Sequence, residues 1–163
     1  MTGALLFIAF LIVQRLGELV IAKRNTAKLM ERGAKEFAGE HYPFIVAVHT
    51  LWVLAIIVLG WDQPILWHWF AVYAVLQVFR IWILSSLGGR WTTRIIIWNE
   101  PLVARGPYRF IKHPNYILVI AEIIAAPMVL GLTWVAVVFT VLNAIILAIR
   151  IPAENKALAT ING

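Results

Sequence analysis

The sequence predicts an all-α integral membrane protein of about five transmembrane helices, with one long polar loop at the cytoplasmic face. Three observations carry that expectation. First, 62% of the 163 residues are hydrophobic and only 13% are charged, against roughly 25% charged in an ordinary soluble domain. A chain this short has too much surface to hide that much apolar side chain in a soluble globule. Second, five apolar segments each approach the ~20 residues that cross a bilayer core. Third, the basic residues cluster in the segments between some of these runs and are absent between others. The chain has no cysteine, which excludes a disulfide scaffold, a thiolate nucleophile and a Cys-ligated metal. A formal charge of +6, alternating with apolar runs, points to an anionic lipid surface rather than to nucleic acid.

The spans are read as residues 5–22, 43–60, 65–84, 114–131 and 133–151, within a single domain covering 1–163. The first carries Gln14, Arg15 and Glu18 and lacks a basic leader, so it reads as a mature helix and not a signal peptide. Residues 23–40 set Ala27, Leu29, Met30 and Ala34 among charges, the pattern of an amphipathic interfacial helix. Of the 14 Lys and Arg, all but Arg15 and Arg80 fall in 23–42, in 85–113 or at and beyond Arg150. The turns at 61–64 and 131–133 have none. Five crossings bring the three basic segments to one side, which places the amino terminus outside and the carboxyl terminus in the cytoplasm. Trp61, Trp67 and Trp69 then suit an outer aromatic belt, and Trp91 and Trp98 an inner one. Pro127 marks the end of the fourth span.

Charges inside spans need partners, because an unpaired one costs about 2.5–3.5 kcal/mol even on lenient insertion scales. Arg15 and Glu18 are spaced to pair along one helix. Arg80 is close enough to the inner loop to snorkel. Glu122 is deeper and requires a cation or hydrogen-bond donor. His49, His68 and His113 lie at different depths, which disfavours a bis-histidine haem. His49 and His68 read as packed, hydrogen-bonded residues.

Residues 88–122, GGRWTTRIIIWNEPLVARGPYRFIKHPNYILVIAE, form the longest polar interruption. Pro107 and Pro114 disfavour helix in the residues before them, so 106–113 should be irregular, with Pro114 opening the next helix. His113 then stands at a helix amino terminus, where backbone N–H groups favour an anion. Irregular backbone beside a membrane is tolerated where it lines a cavity, so a ligand pocket is expected here. Arg150 and Glu154 are four residues apart at the end of the last span and share a face if the helix runs through Pro152.

Together Leu102-Val103, Gly106-Pro107-Tyr108-Arg109, Lys112-His113-Pro114-Asn115-Tyr116, Glu122, and Arg150 with Glu154 resemble the isoprenylcysteine carboxyl methyltransferase family. Lys112 stands where the family usually has Arg. Arg15, Glu18, Asn25, Gly33, Glu36, His41, Tyr42, Pro43 and His49 extend the resemblance to the compact bacterial branch, which includes enzymes associated with long-chain phenolic and pyrone lipids. Asn155 replaces the second of two glutamates usual in the family. The chain also stops at Gly163, without the aromatic and basic tail of the eukaryotic enzymes. Both departures point away from a prenylated-protein substrate.

The resemblance implies a bacterial inner-membrane O-methyltransferase that uses S-adenosylmethionine and needs no metal. Its substrate is lipophilic, either a prenylcysteine-type carboxylate or a long-chain phenol or pyrone entering from the bilayer. The loop at 88–113 is then the cofactor loop. Leu102, Val103, Gly106 and Tyr108 would present backbone and side-chain groups to the cofactor, and Tyr108, His113 and Tyr116 would stack or hydrogen-bond. The helix start at Pro114, with His113, would hold its carboxylate, and Glu154 its ammonium. Arg150 would orient an anionic substrate oxygen. Glu122 or His113 would accept a proton from a phenol. The readings set beside this are a non-enzymatic membrane subunit or binding protein, a phospholipid N-methyltransferase and a small haem protein.

Overall fold

The computed structural model describes residues 1–98, 101 and 103–159. Five helices run in chain order: α1 (Thr2–Glu31), α2 (Tyr42–Gly60), α3 (Trp67–Leu87), α4 (Pro114–Val129) and α5 (Thr133–Ala159). A short antiparallel ribbon joins β1 (Lys35–Phe37) to β2 (Ile95–Ile97), with Lys35 opposite Ile97, Glu36 opposite Ile96 and Phe37 opposite Ile95. Helices α1, α2, α3 and α5 are long and apolar enough to cross a membrane, and α4 is a shorter apolar helix. Its 16 residues span about 24 Å, less than the ~30 Å hydrocarbon thickness.

The helices alternate in direction. At one end, the Leu66 N–H donates to Val129 O (2.8 Å), and a Cβ on Gly3 would touch Ile65. At the other, the ribbon joins the segment after α1 to the segment after α3, and Arg150 of α5 donates to Thr93 O. The basic segments therefore gather at the ribbon end, as the charge pattern predicts. Helix α4 packs against both α3 and α5 and buries much of its length, including Tyr116, Leu118, Glu122, Ile123, Ala125 and Ala126. Phe7 and Leu11 of α1, Trp52 and Ile56 of α2 and Tyr73 of α3 close on it to form the core. Many other apolar side chains face outward, such as Leu6, Val13, Val58, Val78 and Ile81, as lipid contact requires.

Two prolines lie inside helices. Pro127 has no N–H for the carbonyl of Ile123. The buried indole of Trp52 donates to that oxygen (3.3 Å), so a neighbouring helix supplies the missing hydrogen bond. Pro152 lies within the continuous α5, which keeps Arg150 and Glu154 on one face. The α4–α5 turn uses Gly131 at φ +69°. Leu132 N–H returns to Pro127 O (3.0 Å) and Gly131 N–H to Met128 O (3.1 Å), the Schellman pattern that satisfies terminal carbonyls.

The intramembrane charges form one cluster. The Glu122 carboxylate is fully buried and accepts from Arg15 (2.7 Å), from Gln77 (3.2 Å) and from Arg80, whose Nε lies 3.1 Å away. Arg15 also pairs with Glu18 (3.1 Å), and Gln14 links Glu18 to the Tyr73 hydroxyl (2.9 and 3.1 Å). The expected Arg15–Glu18 pair is present, and Glu122 finds cations on two other helices. Arg80 does not snorkel. It is 4% exposed, because the carboxylate it neutralises lies in the interior.

Other expectations shift for local reasons. Residues 23–40 are not one interfacial helix. The first part continues α1 to Glu31, and Gly33 at φ +86° ends it, with Gly33 and Ala34 N–H returning to Met30 and Leu29 carbonyls. Residues 35–37 then enter the ribbon. Trp91 is no belt residue, being 4% exposed. His49 is hydrogen-bonded to Ile45 O (2.9 Å) as expected, whereas His68 is exposed on the first turn of α3.

Removing one partner of a buried ion pair strands the others, at a cost of about 3–5 kcal/mol. Glu122→Ala, which strands Arg15 and Arg80, is therefore expected to collapse thermal stability in detergent. Glu40→Ala, at an exposed position of the 3-10 turn Gly39–His41, should leave the melting curve unchanged. Similar melting of Glu122→Ala and wild type would disprove this role for the cluster.

Candidate active site

The segment before α4 is anchored to the end of α3. Arg105 Nε donates to Ser86 O (2.9 Å). Gly106 has φ +59°, and a Cβ there would collide with Ser86 Oγ, so only glycine fits both the backbone angle and the contact. A 3-10 turn follows over Gly106–Arg109, with Phe110 and Ile111 N–H returning to Pro107 O (both 3.1 Å). Where an irregular loop is expected, the backbone thus makes a regular single turn, which Pro107 opens. The segment after α3 is held to α1, where Asn25 donates to Trp91 O (2.9 Å) and Gly88 O (3.2 Å).

These segments, the ribbon and the ends of α4 and α5 enclose a cavity of about 430 Å³, within the range of small-molecule sites. Its apolar lining residues are Leu29, Trp91, Ile95, Ile96, Trp98 and Leu158. Its polar wall is formed by Tyr108, His113, Tyr116, Arg150 and Glu154. Within it, Tyr116 hydroxyl donates to Glu154 and accepts from Arg150 Nε (2.8 Å), while Arg150 Nη2 donates to Thr93 O (2.6 Å). His113 faces α5, with Nε2 3.0 Å from Asn155 Oδ1 and Nδ1 3.6 Å from a Glu154 oxygen. Its ring lies 5.4 Å from that of Tyr116. Among the described lining residues Glu154 is the one carboxylate, and Arg94, Lys112 and Arg150 are cations beside it. Arg94 is matched by Glu36 (2.6 Å) and lies 4.1 Å over the Tyr42 ring. Burial and the nearby Glu154 carboxylate push the Tyr108 hydroxyl above the ordinary tyrosine range, so it remains a neutral donor.

Of the residues expected at the site, the structure brings Val103, Tyr108, His113, Tyr116, Arg150 and Glu154 to one cavity. Gly106 and Pro114 do not line it. They shape it, Gly106 through Ser86 and Pro114 as the first residue of α4. Leu102 lies outside the described residues. Glu122, expected as a possible proton acceptor, is absent from the lining. Two guanidiniums already occupy its oxygens in the bundle interior. Sequence reasoning missed Thr93, Asn155 and the apolar wall. The run Ile95-Ile96-Ile97, three β-branched residues inside a polar loop, was the available strand signal.

The sequence profile described as the isoprenylcysteine carboxyl methyltransferase family matches residues 69–160, a region that carries the whole polar wall. The chain belongs to this family, and so to a group of membrane methyltransferases. It is 42% identical over 160 residues to the uncharacterized protein YpbQ of Bacillus subtilis, covering 94% of this chain and 95% of that one. An uncharacterized protein of Haemophilus influenzae is 24% identical over 160 residues, covering 93% of this chain and 92% of its own. No solved structure matches the chain.

Gly106→Ala should displace residues 105–110 from α3, which hydrogen exchange of the Phe110 and Ile111 amides would report as lost protection. Unchanged protection in that variant would mean the contact with Ser86 does not hold the turn.

Proposed function

We propose that the protein is an S-adenosylmethionine-dependent O-methyltransferase of a lipid-tailed anion, working at the cytoplasmic face of a bacterial inner membrane. The observation that carries this reading is the mixed cavity, lined by Trp, Ile and Leu side chains and by a polar wall in which Glu154 stands among cations. The donor set suits the cofactor. Glu154 would take its ammonium, Val103 and Tyr108 would flank its adenosine, and Tyr116 and His113 would complete the polar wall. When bound, the cofactor supplies a methyl group made electrophilic by its sulfonium.

The protein's part is positioning and electrostatics. Tyr116 fixes both catalytic side chains of α5, by donating to Glu154 and accepting from Arg150. Arg150 is further held by Thr93 O through Nη2. That leaves Nη1 to meet the acceptor oxygen and orient it. Lys112 and Arg150 favour an anion in the cavity, which supports methylation of a carboxylate or phenolate over methylation of a lipid amine, whose product would be a cation. A carboxylate needs no base. A phenol would reach the site ionised, its anion stabilised by the same cations. The apolar wall would hold the substrate's tail as it enters from the bilayer. The basic segments at the cavity end support its cytoplasmic orientation, with the amino terminus on the opposite side.

Calorimetric titration of S-adenosylhomocysteine into the purified protein is expected to show binding. Glu154→Gln should weaken it. Arg150→Ala should lower methyl transfer by about 10²–10³-fold, the loss typical of removing one electrostatic contact, while leaving that binding near wild type. Absence of binding in folded protein would overturn the cofactor assignment, and equal loss of binding and turnover in Arg150→Ala would overturn the role given to Arg150.

A further inference from the structure

His113 lies between two consecutive residues of α5. Its Nε2 is 3.0 Å from Asn155 Oδ1. An amide oxygen only accepts, so the imidazole hydrogen of that bond is on Nε2, and in the neutral ring Nδ1 carries a lone pair. Nδ1 faces a Glu154 oxygen at 3.6 Å, beyond hydrogen-bond length. The other Glu154 oxygen already accepts from Tyr116, which is fixed in turn by Arg150. In the neutral ring, two acceptors therefore face each other in the cavity wall with no hydrogen between them. Such a pair is a receptor for a small cation rich in N–H groups.

We infer that Asn155 is a positioning residue that holds His113 in its Nε2–H form, so that Nδ1 and the Glu154 carboxylate together receive a primary ammonium group. Within the proposed function, on which this identification rests, that group is the ammonium of the cofactor. The assignment reverses the expectation that His113 binds a carboxylate. It also gives the amide at position 155 a reason. A carboxylate there would favour a doubly protonated imidazole, which would put a proton on Nδ1 and pair with Glu154 internally, closing the receptor. The neutral amide orients the ring without charging it.

The test has two readouts. Nitrogen-15 spectra of histidine-labelled protein in detergent, above the ordinary imidazole titration range, report which nitrogen of His113 carries hydrogen, with signals assigned by their loss in His113→Gln. The expected result is hydrogen on Nε2 alone. The second readout is calorimetric binding of S-adenosylhomocysteine against its analogue lacking the amino group. Wild type should prefer the amino compound by about 10- to 100-fold, the worth of a hydrogen-bonded charge. Asn155→Leu should lose most of that preference. Asn155→Asp, which preserves shape and guards against a folding defect in the leucine variant, should protonate Nδ1 and lose it too. Hydrogen on Nδ1 in the wild type, or an undiminished preference in both variants, would overturn the inference and leave the methyl-donor reading intact. Failure of both compounds to bind a wild type with hydrogen on Nε2 would instead remove the methyl-donor reading and the ammonium assignment together, leaving only the Asn155–His113 geometry.

Discussion

A carboxylate in the middle of an apolar bundle organises this protein. Glu122 lies about 12 Å along α4 from Pro114, in a region where water cannot solvate it. Arg15 from α1 and Arg80 from α3 neutralise it, and Glu18 balances the second arginine. The four charges cancel, and none of the helices that supply them can slide or rotate without leaving an ion bare in a low-dielectric interior. Lipid-facing apolar contact does not distinguish one helix register from another, because neighbouring lipid tails and side chains are alike. The ion cluster does.

That register reaches the cavity through one contact. Arg80 Nη1 lies 3.4 Å from Asn115 Oδ1, in the first turn of α4 beside His113 and Tyr116. The polar wall is thus an extension of the helix that the cluster fixes. From the other side, α5 brings Arg150, Glu154 and Asn155 within little more than one turn. The ribbon brings the Thr93 carbonyl to Arg150 and the Thr93 hydroxyl to Tyr42 (3.0 Å). Three separate parts of the chain meet at Arg150 and Tyr116, which holds the site together around Glu154.

Much of this was legible in the residues. Long apolar runs and the placement of Lys and Arg report membrane helices directly, because the bilayer penalises charge at every position. The Gly106-Pro107-Tyr108 and His113-Pro114 steps constrain backbone angles locally, so the start of α4 is readable. The Arg150–Glu154 spacing follows from helix geometry. What was hidden depends on contacts between distant segments. The sequence shows that Glu122 needs a partner but cannot show that two arginines 107 and 42 residues away supply it. The ribbon pairs two strands of three residues, too short for a periodicity. Gly33 was the clue that α1 stops there, outweighed by the amphipathic look of its flanks. Trp91 and Trp98 suggested an interfacial belt because tryptophan favours both membrane surfaces and ligand walls, and only the fold separates the two.

The shortness of α4 has a consequence for the surrounding membrane. Its 16 residues stand between α1 with 30 and α5 with 27, so the taller helices overhang its start. The polar wall therefore lies at the end of the shorter helix, beside turns of α5 that run on past it. A bilayer meeting a short helix thins or lets headgroups and water dip toward it. Under the proposed function, a lipid-tailed substrate would then not have to leave the membrane to reach a water-soluble reactant. The aqueous boundary would come down to the depth of its polar head.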